Sequence, residues 1–277
     1  MKVTGNTKII GFLGSSYKTS KMYDMYNSAF AELDLDYQYV PLIVDDLGKA
    51  IEGVKNLGMK ALGVTIPYKI DIIPYLDELD ENAQRIGAVN VVVNKNGKLI
   101  GGNTDGIGAL RALKEKTEVK NKKVVILGAG GASRAIAFSL KDNQAVLTIL
   151  NRDIKKAEEL AKALGEDISF GGYEQLKREL EEAHILINTT PVGMINTDTE
   201  GQSLVDMELL RPGLVVMELV SKPRETKLVQ DAKRRGCEVV YGYRMLLHQG
   251  VEKFKMYTDQ EPPIEVMERA MEEISGD

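Results

Sequence analysis

The sequence contains very few of the residues on which several common chemistries depend. Among its 277 residues there are one cysteine, two histidines and no tryptophan. The single Cys237 cannot close an internal disulfide, which is typical of a cytoplasmic protein. Two histidines argue against a histidine-rich metal site and against a histidine-based catalytic triad. Acid–base chemistry is therefore expected from lysine, aspartate, glutamate or tyrosine.

Long apolar runs and clustered charge are also missing. Runs such as Val124–Leu127 and Leu214–Met217 are far shorter than the ~20 residues that span a bilayer. The 36 basic and 41 acidic residues are interleaved and leave a net charge of −5, which argues against nucleic acid as a partner. The first residues lack the apolar core of a signal peptide. We therefore expect a cytoplasmic protein with neither a nucleic-acid nor a membrane partner.

What the sequence does contain is an alternation of strand and helix patterns over a length suited to two domains. Between residues 8 and 101 the alternation includes a hairpin signal at Asn96-Gly97. From residue 122 to residue 240, strands alternate with helices in the way typical of a parallel sheet covered on both faces. We predict an α/β protein in two domains. Residues 1–105 with 245–277 form a substrate-binding and catalytic domain, and residues 106–244 form a Rossmann-like dinucleotide-binding domain.

A glycine-rich turn carries the strongest functional signal. The apolar strand Val124–Leu127 runs through this turn into an alanine-rich helix. Gly128 allows a tight turn, Gly130 leaves room for a pyrophosphate, and the N–H groups at the helix N-terminus face the phosphates. A second strand ends ~20–25 residues further on, as a dinucleotide fingerprint requires. The predicted cofactor residues here are Gly128, Ala129, Gly130, Gly131, Ala132, Asn151, Arg152 and Asp153.

The end of that second strand bears on the choice between NAD and NADP. An acidic residue there accepts hydrogen bonds from a free 2′-hydroxyl, whereas an arginine favours a 2′-phosphate. Arg152 and Asp153 are adjacent, with Lys155 and Lys156 close behind. We interpret this segment as a site for NAD or NADP, with NAD or dual use slightly favoured.

Several motifs resemble those of the shikimate dehydrogenases, in that family's order and at similar spacing, across roughly residues 8–260. The stretch Glu218–Gln249 looks closest to the quinate/shikimate dehydrogenase branch. The resemblance implies an NAD(P)-dependent oxidoreductase that interconverts shikimate or quinate and its 3-dehydro ketone, in aromatic amino acid biosynthesis by the chorismate pathway. The matching segments are Gly63–Lys69, Gly87–Asn90, Gly102–Gly106, Gly128–Ala135, Asn151-Arg152, Gly193-Met194 and Met245–Gly250.

The resemblance further implies that Lys69 and Asp105 are the catalytic pair. Oxidation of a secondary alcohol requires the hydroxyl proton to leave as hydride moves to the nicotinamide. A lysine whose pKa is lowered by burial accepts that proton, and an adjacent carboxylate holds lysine and hydroxyl in position. The alternative is an ordinary Lys–Asp ion pair.

The same resemblance assigns substrate and nicotinamide residues. Thr65, Asn90 and Gln249 match positions that bind the ring hydroxyls of a polyol, and such buried polar groups reject a substrate that lacks its hydroxyl. Tyr39 lies near the substrate carboxylate or belongs to the core. Met194 packs on the nicotinamide or belongs to the core. The residues matched to the nicotinamide end are Thr190, Val192, Gly193, Met194 and Gly242.

One segment departs from the family on the substrate side. The family binds the carboxylate with two serines in a His-Ser-x-Ser-Pro segment, which is Thr19–Tyr23 here. Ser20 keeps the first hydroxyl, but Met22 takes the second serine position and cannot donate a hydrogen bond. Tyr23 replaces the proline. Either Tyr23, Lys21 or Tyr39 supplies the missing donor, or the substrate is not shikimate.

Two more substitutions lie on the substrate side. Ser221 replaces a tyrosine before x-Pro, and Val91 replaces the threonine that commonly follows the asparagine. The leading interpretation remains a shikimate or quinate dehydrogenase. Two alternatives stay open, namely a paralogue acting on a different cyclic or small hydroxy acid and a non-catalytic dinucleotide-binding protein. A homodimer is a further open expectation, and no metal site is predicted.

Overall fold

A computed structural model describes residues 3–14 and 20–272. The chain divides into two compact units. The first takes the chain up to Thr104 and again from Gln249 onward, and the second takes Asp105–His248. The return to the first unit lies inside a helix, Gly242–Thr258, rather than before it. In the described part of the chain, no helix combines the length and the apolar character needed to span a bilayer.

The first unit contains a mixed six-stranded sheet, with strand order β2-β1-β3-β5-β6-β4. The elements of the first unit that precede the second unit in the chain are β1 (Lys8–Leu13), α1 (Lys21–Glu32), β2 (Tyr37–Leu42), α2 (Leu47–Asn56), β3 (Ala61–Val64), α3 (Tyr68–Asp71), β4 (Glu78–Leu79), α4 (Glu81–Ile86), β5 (Val91–Lys95) and β6 (Lys98–Gly102). A short 3-10 turn covers Ile73–Tyr75.

The sheet carries three of the predicted substrate residues, with Tyr39 in β2, Thr65 directly after β3 and Asn90 directly before β5. β1 is parallel to β2 and β3, whereas β5 is antiparallel to both β3 and β6. The β5–β6 hairpin turns at Asn96 and Gly97, with φ of 55° and 88°. Positive φ at both positions is what an Asn-Gly hairpin turn requires, so this local prediction is confirmed.

The second unit contains a parallel six-stranded sheet, with strand order β12-β11-β10-β7-β8-β9. Short 3-10 turns cover Tyr173–Gln175 and Met207–Leu209. Its elements are α5 (Asp105–Lys114), β7 (Lys123–Leu127), α6 (Gly131–Asp142), β8 (Val146–Leu150), α7 (Ile154–Leu164), β9 (Ser169–Gly171), α8 (Leu176–Glu181), β10 (Ile185–Asn188), β11 (Val215–Glu218), α9 (Lys227–Arg234), β12 (Glu238–Tyr241) and the start of α10 (Gly242–Thr258); α11 (Ile264–Glu272) then lies in the first unit.

The parallel sheet explains the apolar strands of the second unit. Every residue of β10 and of β11 is buried, as expected where helices cover both faces of a parallel sheet. From β7 the chain proceeds to β8 and β9 on one side, and β10, β11 and β12 lie on the other. Such a reversal opens a crevice at the carboxyl ends of the two central strands, where doubly wound sheets bind ligands. The predicted two-domain α/β fold is confirmed.

Candidate active site

The glycine turn lies at that reversal, between β7 and α6. Gly128 has a φ of +107°, and a Cβ atom there would lie 2.5 Å from Thr189 Oγ1. A side chain is therefore excluded both by conformation and by space. Cβ atoms built at Gly130 and Gly131 would meet no described atom within 4 Å. The N-terminus of the 12-residue α6 thus opens onto unfilled space, which suits a pyrophosphate.

A buried serine that the sequence analysis did not identify stabilises this turn. Ser133 is fully buried, and its Oγ donates a 2.7 Å hydrogen bond to the Gly128 carbonyl. The two predicted alanines, Ala129 and Ala132, lie on either side of the open glycines and are half-buried. The turn is therefore held by a hydrogen bond on its inner side, whereas Gly130 and Gly131 have open space on its outer side.

At the end predicted to bind the adenosine, the side chain of Asp153 caps a helix. Its Oδ1 accepts a 3.1 Å hydrogen bond from the N–H of Lys155 and caps α7. Asn151 Nδ2 donates to the Asp153 carbonyl at 2.9 Å. Arg152, between them, is exposed. The presence of Asp153 is thus explained by helix capping, without a ribose.

The loop after β10, which is predicted to lie at the nicotinamide end, is stabilised by hydrogen bonds from its own side chains. Asn188 Oδ1 accepts hydrogen bonds from the N–H and Oγ1 of Thr190, at 3.0 and 2.7 Å. Thr190 Oγ1 in turn accepts a 3.3 Å hydrogen bond from the N–H of Val192. Met194 is 37% exposed, so it is not a core methionine.

Gly242 packs directly against the end of β11. A Cβ atom there would lie 2.7 Å from the Leu219 carbonyl oxygen and 2.9 Å from that of Glu218. Glu218 itself is buried and bears a carboxyl group that the sequence analysis did not identify as part of the site. The signal was present, because an acidic residue ending a buried apolar strand needs polar partners.

In the first unit, three polar side chains form a buried cluster. Asn90 is fully buried, and its Nδ2 donates to Gln249 Oε1 at 3.1 Å and to Thr104 Oγ1 at 3.2 Å. The N–H of Thr104 donates back to Asn90 Oδ1 at 3.0 Å. The structure therefore brings together two predicted substrate residues, Asn90 and Gln249, and adds Thr104.

The backbone of Lys69 is hydrogen-bonded to Val89, the residue before Asn90. It lies in α3, after Thr65 and the cis peptide Ile66–Pro67, and its carbonyl accepts a 2.8 Å hydrogen bond from the N–H of Val89. Its side chain is partly exposed, whereas the sequence analysis expected a buried lysine. The short α3 has no buried residue, which accounts for the difference.

Asp105 begins α5 and belongs to the second unit. It is 4% exposed. The next residue, Gly106, lets α5 approach α6 closely, because a Cβ there would collide with the Ala135 carbonyl. The buried carboxylate is therefore set on a tightly packed pair of helices.

The predicted carboxylate-binding segment is described from Ser20 onward, because Thr19 lies outside the described residues. Ser20 caps α1, and its Oγ accepts a 3.3 Å hydrogen bond from the N–H of Met22, which leaves its O–H able to donate. Met22 is 8% exposed and packs into the core. Lys21 donates to the Met271 carbonyl at 3.0 Å.

Tyr23 and Tyr39 differ sharply in exposure. Tyr39 is 2% exposed, packs 4.5 Å from the Tyr26 ring between ring centroids, and places its hydroxyl where a side chain on Gly63 would otherwise lie. Tyr23 is half-buried, with its ring 5.9 Å from those of Phe12 and Tyr39. Burial raises the pKa of both phenols, so both remain hydrogen-bond donors at neutral pH.

Val91 and Ser221, the other two departures from the family pattern, differ in burial. Val91 is fully buried in β5, opposite Gly63 and Gly102 in the neighbouring strands. It is thus a core residue of the sheet. Ser221 is exposed in the loop after β11.

Comparison with known proteins agrees with this arrangement in each part of the chain. Residues 12–92 match the shikimate dehydrogenase substrate binding domain, and residues 111–224 match the family described as shikimate/quinate 5-dehydrogenase. Residues 242–272 match the shikimate 5′-dehydrogenase C-terminal domain. Together these matches extend over most of the sequence.

Individual proteins match over nearly the whole chain. The shikimate dehydrogenase (NADP(+)) of Methanothermobacter thermautotrophicus is 44% identical over 279 residues, covering 98% of each chain. A crystal structure of a shikimate dehydrogenase in complex with NADP+ has a TM-score of 0.94 at 41% identity, covering 100% of this chain and 98% of that one. The ligand-free 5-ketofructose reductase of Gluconobacter sp. strain CHM43 has a TM-score of 0.87 at 31% identity, covering 98% of this chain and 100% of that one.

The fold and the glycine turn therefore define a two-domain, NAD(P)-dependent dehydrogenase. Within that class, the chain belongs to the shikimate dehydrogenase family.

Proposed function

We propose that this protein interconverts shikimate and its 3-dehydro ketone, with NADP as the hydride carrier. The observation that carries the proposal is the grouping in the first unit of Asn90, Gln249 and the segment bearing Lys69. Two amides and a threonine hydroxyl in one buried cluster suit a substrate with several ring hydroxyls, because a ligand lacking one leaves a buried group unpaired. Family membership over the whole chain supports the same reaction.

The proposed chemistry places the proton on Lys69. The nicotinamide, when bound, takes up the hydride from the carbinol carbon. Lys69 accepts the hydroxyl proton as the carbonyl forms and returns it in the reverse direction, with Asp105 as its carboxylate partner. Thr65, Asn90 and Gln249 hold the remaining ring hydroxyls.

The substrate carboxylate is proposed to bind at the N-terminus of α1. Of the three candidate replacements for the lost serine, Lys21 already donates to the Met271 carbonyl and Tyr39 is enclosed in the core. Tyr23 is partly exposed and lies on the first turn of α1, three residues from Ser20. Ser20 and Tyr23 are therefore the proposed pair of donors, and Met22 serves as packing.

NADP is proposed over NAD on the geometry of the second strand end. Asp153 is occupied as the cap of α7, whereas Arg152 is exposed beside it and suits a 2′-phosphate. The relative from Methanothermobacter thermautotrophicus carries NADP(+) in its name, which supports the same choice. The other proposed cofactor contacts are the glycine turn, Thr190, Val192, Met194 and Gly242.

A second candidate is a dehydrogenase that acts on a different cyclic or small hydroxy acid, or on a polyol without the carboxylate. Met22 removes a carboxylate donor, and Ser221 removes a ring that the family usually carries. The 5-ketofructose reductase shows that a protein named for a different substrate has a closely similar fold. Quinate is a further substrate to compare, because the matched family includes quinate dehydrogenases.

Steady-state assays separate these candidates. Purified full-length protein is incubated with shikimate, quinate or a neutral polyol, each with NADP+ and with NAD+, and nicotinamide reduction is followed by absorbance. Turnover of shikimate with NADP+ at the highest kcat/KM supports the proposal. Turnover of the neutral polyol alone supports the second candidate, and cofactor binding without turnover of any substrate supports a non-catalytic protein.

We further propose that the protein is cytoplasmic and forms a homodimer. The sole cysteine, Cys237, is suited to a reducing compartment. Light scattering of the purified protein tests the homodimer directly.

A further inference from the structure

A buried carboxyl group at the end of β11 has no place in the proposed chemistry. Glu218 is 1% exposed, and its two oxygens accept hydrogen bonds from neutral donors. Asn188 Nδ2 reaches both oxygens, at 2.9 and 3.1 Å. The N–H of Val220 donates to Oε1 at 2.9 Å, and Thr226 Oγ1 donates to Oε2 at 3.1 Å.

The first of these partners leads to the loop after β10. A primary amide donates from its nitrogen and accepts at its oxygen. Because Glu218 takes up the Nδ2 end of Asn188, the Oδ1 end faces Thr190 and accepts both of its hydrogen bonds. Glu218 therefore determines which way the amide points, and with it the position of Thr190 and the N–H of Val192.

The other partners belong to the loop after β11. Val220 begins this loop, and Thr226, which is 1% exposed, ends it as the cap of α9. The two loops also touch each other, since the N–H of Ile195 donates to the Lys222 carbonyl at 3.0 Å. A single carboxylate thus holds both loops at the carboxyl edge of the sheet.

We propose that Glu218 is a positioning residue for cofactor binding, which holds the loops after β10 and β11 in the arrangement that receives the nicotinamide end of the dinucleotide. The inference rests on the proposed function, from which it takes the identity of the ligand. Glu218 acts through Asn188, Val220 and Thr226.

The donor set explains why a carboxylate is needed here. Four hydrogen bonds converge on two oxygens, and a glutamine would turn its own NH₂ group toward one of the donors. Burial raises the pKa of Glu218 to about 7, while the hydrogen bonds from Val220, Asn188 and Thr226 oppose that rise. With a neutral amide in its place, Asn188 is free to turn and Thr190 loses its acceptor.

The test compares cofactor binding with substrate binding in full-length Glu218→Gln. NADPH is titrated into the wild type and the variant, and KM is measured for NADP+ and for shikimate. We expect Kd for NADPH to rise about tenfold, while KM for shikimate changes by less than about twofold. The matched control is Asp231→Asn, which neutralises another buried carboxylate of the same unit. Asp231 pairs with Lys227 of its own helix at 2.5 Å, so its variant should lose stability and keep its Kd for NADPH.

Two results would overturn the inference. One is an unchanged Kd for NADPH in Glu218→Gln, and the other is a rise of equal size in Asp231→Asn, which would reflect a general loss of packing. If Glu218→Gln does not fold, Thr226→Val removes one donor to Glu218 and the hydroxyl cap of α9 at nearly constant size, so the stability of the variant is measured together with its Kd. We then expect Kd to rise about threefold, and an unchanged value would again overturn the inference. A wild type that binds neither NADPH nor NADH contradicts the proposed function itself, before any variant is compared.

Discussion

The two units build their proposed binding sites from different kinds of groups. In the second unit, the proposed cofactor turn consists of backbone, namely the glycines at 128, 130 and 131 and the N–H groups that begin α6. In the first unit, the proposed substrate cluster consists of side chains such as Asn90, Thr104 and Gln249. A backbone site changes little when neighbouring side chains change, whereas a side-chain site is altered by a single substitution.

The departures from the family pattern follow this difference. Met22 and Tyr23 lie on the substrate side, and the glycine turn is intact. The structure shows that Met22 has become part of the core, so the segment keeps its helix while one of its donors is lost. If the proposed sites are correct, substrate recognition in this chain can change while the cofactor turn stays the same.

The largest expected effect concerns Lys69, the proposed acid–base residue of the first unit. Lys69→Ala should lower kcat by about 1,000-fold, because general acid–base groups typically contribute about 100- to 10,000-fold. Kd for NADPH should stay unchanged, since the cofactor turn lies in the other unit. Stopped-flow and steady-state kinetics measure the first quantity and a binding titration the second. Lys49→Ala, an exposed lysine in α2, is the control, and an equal loss of kcat there would refute the assignment.

The next effect concerns the pH dependence of stability and arises from Glu218 in the second unit. Because the pKa of Glu218 rises from the ordinary 4.5 to about 7, the folded chain binds more protons than the unfolded chain between these values. The contribution to stability is therefore favourable at low pH and is lost as pH rises through about 7. The pH-dependent part should amount to about 3 kcal/mol at most. Urea unfolding at pH 5 and pH 8 should show this dependence reduced in Glu218→Gln, and an identical dependence would contradict it.

A smaller effect tests the backbone character of the cofactor site. Gly128→Ala should weaken NADPH binding by about 30-fold, because the alanine must adopt a positive φ and its Cβ meets Thr189 Oγ1. Gly213→Ala is the matched control, since Gly213 has a φ of +86° and open space around its Cβ. It should cost about 1 kcal/mol of stability and leave Kd unchanged. Equal Kd values for both variants would show that the turn does not bind the cofactor.

The smallest effect tests the side-chain character of the substrate site. Tyr23→Phe should raise KM for shikimate about tenfold, because one hydrogen bond to a carboxylate is lost. Tyr37→Phe, which removes a hydroxyl that accepts from Lys8, should leave KM unchanged. A Tyr23→Phe enzyme with the KM of the wild type would assign the second donor elsewhere.

Local features of the fold could be predicted because their causes are local. The Asn96-Gly97 hairpin requires two residues with positive φ, and the turn after β7 requires glycine where a side chain has no room. The alternation of apolar strands with helices likewise predicted the parallel sheet. Family resemblance, rather than spacing, supplied the roles of Lys69 and Asp105.

Other features depended on contacts between distant segments. Lys21 donates to the carbonyl of Met271, 250 residues away in sequence, and no local pattern predicts such a contact. The exposure of Met194 and the burial of Tyr39 were equally open, because each depends on which elements cover the side chain.

The class of protein could be predicted from local patterns, namely the glycine turn, the strand–helix alternation and the ordered motifs. Only the tertiary structure placed Glu218 against Asn188 and Thr226, since these contacts arise from the adjacency of β10 and β11 in the sheet. The pairing of β5 with β6 brings Asn90 close to Thr104, and α10 carries Gln249 to the same buried cluster. Hydrogen-bond partners that lie far apart in the chain are chosen by packing, and packing is a property of the whole fold.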